Sequence, residues 1–244
     1  MNGEPDQSNR AHRAIRSYVL RAGRMTDAQA RALDELWPRY GIADGMDTLD
    51  LTGIFGRDAP RVLEIGFGNG ENLAALAAAN PDTDFIGVEV HAPGVGHLLH
   101  RAALAQLRNL RVLRQDAVEV LRNRVSAGSL DSILVLFPDP WPKKRHHKRR
   151  LVNPAFAALA ASRLRSGGTL QLATDWTPYA ESMLETLNQA ADLRNRAPDG
   201  GYVPRNPGRL RTRFEARGER LGHAVHDLCY ERISAAGCAP AEPH

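Results

Sequence analysis

Apolar residues along this chain alternate between two spacings, and that alternation predicts its architecture. Short runs rich in Val, Ile, Leu and Phe at 61–65, 84–90, 110–114, 131–137 and 169–174 read as strands. Between and after them, 71–79, 95–107, 118–125, 154–164 and 178–191 read as helices. Asn153 followed by Pro154 is a helix start, an N-cap with proline at the first helical position. A strand–helix alternation of this kind implies an α/β fold, a mostly parallel sheet with helices on both faces. Near the C-terminus, 200–211 is rich in Gly, Pro and Asn and reads as loop. The runs 212–216 and 224–232 read as two last strands forming an antiparallel hairpin. At the N-terminus, 1–10 is polar, and Arg13, Arg16, Arg21 and Arg24 interleave with Ile15, Tyr18, Val19 and Leu20. Thr26 with Gln29 looks like a capping box opening a helix over 28–36, which Trp37-Pro38 should stop. The stretch 41–56 reads as loop.

With 244 residues, the chain is long enough for a full core, expected as one domain with an extension. The expected division is a basic, partly disordered extension over 1–45, a main domain over 46–234 and a disordered tail over 235–244. The net charge is +4, a modest excess. Its local clustering suits a nucleic-acid partner better than a uniformly basic surface would. Cys229 and Cys238 are too few for a disulfide framework or a zinc site, so they are expected as free thiols. No apolar run reaches 18 residues and the first 25 lack a signal-peptide core, so a cytoplasmic protein without a membrane span is expected.

The chemistry-bearing stretch is 136–150. An apolar strand stops at Pro138-Asp139-Pro140-Trp141-Pro142, and six cations follow within Lys143 to Arg150. Each proline fixes its own φ and biases the preceding residue towards extended backbone, so Asp139 and Trp141 should be held out of any helix. A carboxylate accepts the N–H groups of a base, an indole stacks on it, and cations hold phosphates. A basic run alone is as often a solvated segment. This one, however, leaves from the carboxyl end of a strand, where open α/β sheets bind ligands.

A second constellation follows the first strand. Gly66-Phe67-Gly68-Asn69-Gly70 opens a helix, which is a weak signal by itself. Glu64, an acid in an otherwise apolar strand, and Glu89, about 20 residues on at the end of the second strand, sharpen it. Glu89 stands where an acid accepts ribose hydroxyls. A dinucleotide site would want a glycine at position 71, where this chain has Glu71. Acidic surroundings suit instead a cofactor with a cationic centre and an amino group, such as S-adenosylmethionine. Asp116, just after the third strand, is placed to accept from an adenine amino group or to cap the following helix.

Together, the segments 63–70, 87–91, 137–150, 173–175 and 212–215 resemble the bacterial tRNA (guanine-N7-)-methyltransferases, in order over about 16–232. The Pro-Asp-Pro-Trp segment with its basic tail is the most specific match. Pro142 departs from the usual pattern, and the tail after Arg232 matches nothing. The resemblance implies a class I methyltransferase-like Rossmann sandwich with a seven-stranded sheet. It implies that Glu64, Gly66, Gly68, Gly70, Glu89, Asp116 and Asp139 contact S-adenosylmethionine, with Asp139 also the active-site acid. It assigns Lys143, Asp175, Thr212, Arg213, Phe214 and Glu215 to the substrate, and Arg145, His146, His147, Lys148, Arg149 and Arg150 to the RNA. The implied reaction methylates N7 of a guanine in the tRNA variable loop, usually position 46. Expected partners are tRNA, no membrane and no metal, with the chain as monomer or homodimer. Two other classes share parts of this sequence. A non-catalytic RNA-binding module has no use for Glu64, Glu89 and the glycine loop, and a Rossmann oxidoreductase has none for Pro-Asp-Pro-Trp and its basic tail.

Overall fold

A computed structural model describes residues 17–18, 25–206, 209, 215 and 224–234. Its sheet has seven strands: β1 Arg61–Ile65, β2 Asp84–Val88, β3 Leu110–Leu113, β4 Leu130–Leu136, β5 Leu164–Thr174, β6 Leu193–Asn195 and β7 His226–Arg232. They are ordered β3-β2-β1-β4-β5-β7-β6. The first five run parallel, while β7 is antiparallel to both β5 and β6. The mostly parallel α/β sheet expected from the alternation is therefore present, and so is an antiparallel pair at its C-terminal edge.

Among the described residues, α-helices flank or precede the strands: α1 Asp27–Tyr40, α2 Leu51–Phe55, α3 Glu71–Ala79, α4 Ala92–Leu104, α5 Ala117–Glu119, which continues as a π-helical turn over Val120–Arg124, α6 Pro154–Arg163 and α7 Thr177–Asn188. Alternate side chains of each strand face opposite helix layers. One layer buries Ile133, Val135, Leu170 and Leu172 against Phe156 of α6 and Met183 of α7. The other buries Phe85 and Val112 against Leu73 of α3, Leu98 and Leu99 of α4, and Tyr40 of α1. Burying each large side chain contributes roughly 1.5–3 kcal/mol.

Four local expectations are corrected. Helix α1 does not stop at Trp37-Pro38 but runs through Pro38 to Tyr40. Tyr40 is fully buried and donates from its hydroxyl to the Ala102 carbonyl at 3.1 Å, so packing on α4 outweighs the proline's missing N–H. The stretch 41–56 holds α2, capped by the Asp50 side chain. Strand β5 begins at Leu164, ahead of Ser166-Gly167-Gly168, with a register shift between Leu130 and Ser132 on β4. Beside β7 at the sheet edge lies Leu193–Asn195, and of the run 212–216, expected as a strand, only Glu215 is among the described residues. Glu215 is helical and only 1% exposed, where a strand at the sheet edge would have left its charge in solvent. Residues 212–214 lie outside the described residues, as do 1–16 and 235–244. Among the described residues no helix is long and apolar enough to cross a membrane.

Candidate functional site

The strand order reverses between β1 and β4, and the two chemistry-bearing loops leave the carboxyl ends of these neighbours. A crevice at such a switch point is where open α/β sheets bind ligands. On the β1 side, Gly66, Gly68 and Gly70 have φ of 68°, 58° and 71°, a left-handed conformation that L side chains rarely adopt. A Cβ placed on Gly66 or Gly68 would meet nothing within 4 Å, so the loop's surface is open. It is held from behind. The His97 Nδ1 lies 2.7 Å from the Asn69 carbonyl, and Gly94 of α4 approaches so closely that a Cβ there would sit 2.2 Å from the Gly68 oxygen. Gly94 escaped the sequence reading because its neighbour, Gly68, is 26 residues away in the chain.

Glu89 follows β2, half-buried, with its carboxylate locked by three backbone N–H groups. Val90 and His91 donate to Oε1 at 2.7 and 3.0 Å, and Gly68 donates to Oε2 at 3.0 Å. Two bonds saturate Oε1, while Oε2 keeps a lone pair for a further donor. Glu64 is 3% exposed and accepts from Asn72 Nδ2 at 3.2 Å. Burial pushes its carboxyl up to about 7, against the opposing Asn72 bond. Asp116 is the N-cap of α5 and accepts from the Val118 N–H at 2.8 Å, as the capping alternative required. Its other oxygen makes no bond among the described residues. A concave glycine loop, an oriented carboxylate and a buried acid titrating near neutrality fit a ligand carrying hydroxyls and positive charge. They do not fit a diphosphate.

On the β4 side the loop is strained. Phe137 and Trp141 have φ of 51° and 45°, although each precedes a proline and was expected to be extended. Such residues cost of order 1–3 kcal/mol each and persist where the surroundings over-determine them. Here they do. The Phe137 N–H donates to the Ala173 carbonyl at 2.7 Å, and the Arg209 guanidinium lies 5.4 Å from its ring centre. The Trp141 indole donates to the Ser17 carbonyl at 3.1 Å, meets His146 edge-on at 5.9 Å and carries Arg149 over its face at 5.0 Å. Asp139, between the two, is exposed and makes no hydrogen bond or ion pair among the described residues. Asp175, after β5, is not the cap of α7. That position is Trp176, with no side-chain cap bond, and the Asp175 carboxylate makes no hydrogen bond or ion pair among the described residues.

The basic run forms a 3-10 turn over Lys144–Arg149. Lys143, Arg145, His147 and Lys148 are exposed, while His146 and Arg149 are half-buried. Some desolvation, then Arg145, Arg149, Lys143 and Lys148, lower the His146 pKa. Arg150, grouped with these cations on sequence grounds, is instead only 7% exposed beneath the loop. Glu215 is likewise buried, its carboxylate gripped by Arg209 at 2.7 and 3.1 Å and by Arg205 at 2.8 Å. Burial alone would raise the Glu215 pKa, but hydrogen bonds and charge from Arg205 and Arg209 hold it below the usual carboxylate range. Arg209 also bonds Asp227 of β7 at 3.1 and 3.2 Å. It thereby joins Glu215 to the sheet beside Phe137, a link no short sequence spacing announces.

A family model described as a putative methyltransferase matches residues 58–228. Among solved structures, an antibiotic-resistance methyltransferase, Kmr, is similar over 80% of this chain and 98% of its own, with a TM-score of 0.52 and 18% identity. TrmN from Thermus thermophilus is similar over 84% of this chain and 48% of its own, with a TM-score of 0.51 and 18% identity. Both likenesses bear on the fold alone. Sequence relatives are much nearer. A tRNA (guanine-N(7)-)-methyltransferase of Methylococcus capsulatus is 56% identical over 95% of this chain and 97% of its own. That of Chromohalobacter salexigens is 54% identical over 94% of each chain. At this identity over nearly the whole length, the chain belongs to the tRNA (guanine-N7-)-methyltransferase family.

Proposed function

We propose that this protein transfers a methyl group from S-adenosylmethionine to N7 of a guanine in the variable loop of tRNA, usually position 46. The observation that carries the reading is the strained loop at 137–141. It presents an exposed Asp139 carboxylate, without a hydrogen bond or ion pair among the described residues, across the switch point from the glycine loop and the oriented Glu89. S-adenosylmethionine, when bound, supplies a methyl group on a positively charged sulfur.

In this reading Glu89 accepts the ribose hydroxyls through Oε2, and Asp116 accepts the adenine amino group through the oxygen its cap leaves over. Glu64 favours the cationic end of the cofactor, beside the glycine loop of Gly66, Gly68 and Gly70, open at Gly66 and Gly68. Guanine N7 carries no proton and has an in-plane lone pair, so no general base is required. The protein's task is to align N7 with the methyl group, and positioning of this kind supplies much of an enzymatic acceleration. Positive charge passes to the purine during transfer. Asp139 is suited both to accept the guanine N1–H and amino group and to offset that charge. Lys143 and Asp175 flank the guanine, and Thr212, Arg213, Phe214 and Glu215 are assigned to the substrate. Arg145, His146, His147, Lys148 and Arg149 face the RNA backbone. The catalytic unit, 46–234, works in the cytoplasm with tRNA as its partner.

Incubation with methyl-labelled S-adenosylmethionine and bulk tRNA, followed by digestion, should release labelled 7-methylguanosine. Label in any other nucleoside, or none, overturns the reading. Asp139→Ala should slow single-turnover transfer by about 10² or more and leave tRNA affinity within a few-fold. A rate within about threefold of wild type removes Asp139 from the reacting centre.

A further inference from the structure

Arg150 ends the basic run, yet its surroundings differ from those of every cation before it. It is 7% exposed and makes no ion pair with a carboxylate among the described residues. A buried guanidinium must spend its donors on something else. Its Nε donates to the Pro140 carbonyl at 3.0 Å, and its Nη2 donates to His147 Nε2 at 3.3 Å. Its Cζ lies over the ring of Tyr179, a fully buried residue of α7, 4.7 Å from the ring centre. Tyr179 is fixed in turn, since its hydroxyl accepts the Val152 N–H at 3.1 Å. The Asp139 carboxylate acts electrostatically on the Tyr179 phenol, so the clamp and the free carboxylate share one neighbourhood.

The chemistry of the loop explains the need for such a clamp. Three of the five residues 138–142 are prolines and offer no N–H, so the segment has little means of bonding to itself. Pro140 is the residue between Asp139 and Trp141, and Trp141 is held at positive φ. A donor fixed on the Pro140 carbonyl sets the 140–141 peptide plane that carries Trp141, and because the proline ring fixes φ at 140, a single torsion separates that plane from the one that carries Asp139. Lysine could donate to that carbonyl, but its ammonium is a compact point charge without the fork of donors that lets Arg150 reach Pro140 and His147 together.

We infer that Arg150, held over the Tyr179 ring, is a positioning residue. Through the Pro140 carbonyl it holds Asp139 in its working place and touches neither the RNA nor the reacting atoms. This inference rests on the role proposed above for Asp139. Its test is a double-mutant cycle on single-turnover methyl transfer with Asp139→Ala, Arg150→Gln and the pair, alongside the salt dependence of tRNA binding. Arg150→Gln should lower the rate at saturating substrates by tenfold or more and leave the salt slope and the cofactor affinity unchanged. In the Asp139→Ala background it should change the rate by less than threefold, because the residue it positions is gone. Arg150→Lys should retain more activity than Arg150→Gln, and it carries the same comparison if the glutamine variant does not fold. Equal losses from Arg150→Gln in both backgrounds, or a flattened salt slope, overturn the inference. If Asp139→Ala alone leaves the rate intact, the proposed role of Asp139 fails instead, so the two failures are distinguishable.

Discussion

Replacing Glu89 by alanine removes one carboxylate with two separable duties. The first is internal: three backbone N–H groups, those of Gly68, Val90 and His91, lose their acceptor. The site is half-buried, so water can take over part of this bonding, and the loss in stability should be about 1–3 kcal/mol. For a chain of this length that lowers the melting temperature of the cofactor-free protein by roughly 2–10 °C. The second duty is the lone pair of Oε2, proposed to accept a ribose hydroxyl. A hydrogen bond to a charged group contributes about 1.5–3 kcal/mol, so S-adenosylmethionine should bind roughly 10- to 150-fold more weakly. Glu89→Gln separates the two duties. An oxygen at the Oε1 position still serves Val90 and His91, but an amide nitrogen at the Oε2 position faces the Gly68 N–H donor to donor. The glutamine variant should therefore recover part of the melting temperature and little of the affinity. Isothermal titration below the melting transition, with the unfolding of each variant followed by circular dichroism, measures both. Cofactor affinity within twofold of wild type in a folded Glu89→Ala protein would refute the ribose role. An unchanged melting temperature would refute the account of the loop.

Glu64 makes stability depend on pH in the sense opposite to an ion-paired carboxylate. Its carboxyl is raised from 4.5 to about 7 by burial. Between those values the folded protein keeps a proton that the unfolded chain has lost, so stability falls as pH rises across that window, by up to about 3 kcal/mol. Glu64→Gln should flatten this dependence and be the more stable protein at pH 8; parallel melting curves for the two from pH 5 to 8 would exclude it. For the RNA face, each neutralised phosphate contributes about 0.7–0.9 to the salt slope of binding. Replacing Arg145, Lys148 and Arg149 together by alanine should therefore flatten the slope by about 2–3 units, and an equal slope for variant and parent would refute their contact with RNA.

Much of this protein was legible along the chain, because the forces involved act over short separations. Strand and helix periods, the glycine turn after β1 and the acid ending β2 are local patterns, and the sheet realises them. Pro138, Pro140 and Pro142 likewise announce a rigid turn, since each acts on its own residue and its neighbour. What the chain could not disclose depends on contacts between distant residues. Tyr40 keeps α1 going through a proline because its hydroxyl finds Ala102, 62 positions later. Phe137 and Trp141 leave the extended region that their prolines favour because Ala173, Arg209 and Ser17 hold them elsewhere. Glu215 falls in a strand-like pattern, yet it is helical and buried, its charge gripped by Arg205 and Arg209, and the strand beside β7 at the sheet edge is Leu193–Asn195. Within the basic run, sequence treats Arg149 and Arg150 as equals. Tertiary structure separates them, because burial strips Arg150 of solvent and obliges its donors to bond the loop that carries Asp139.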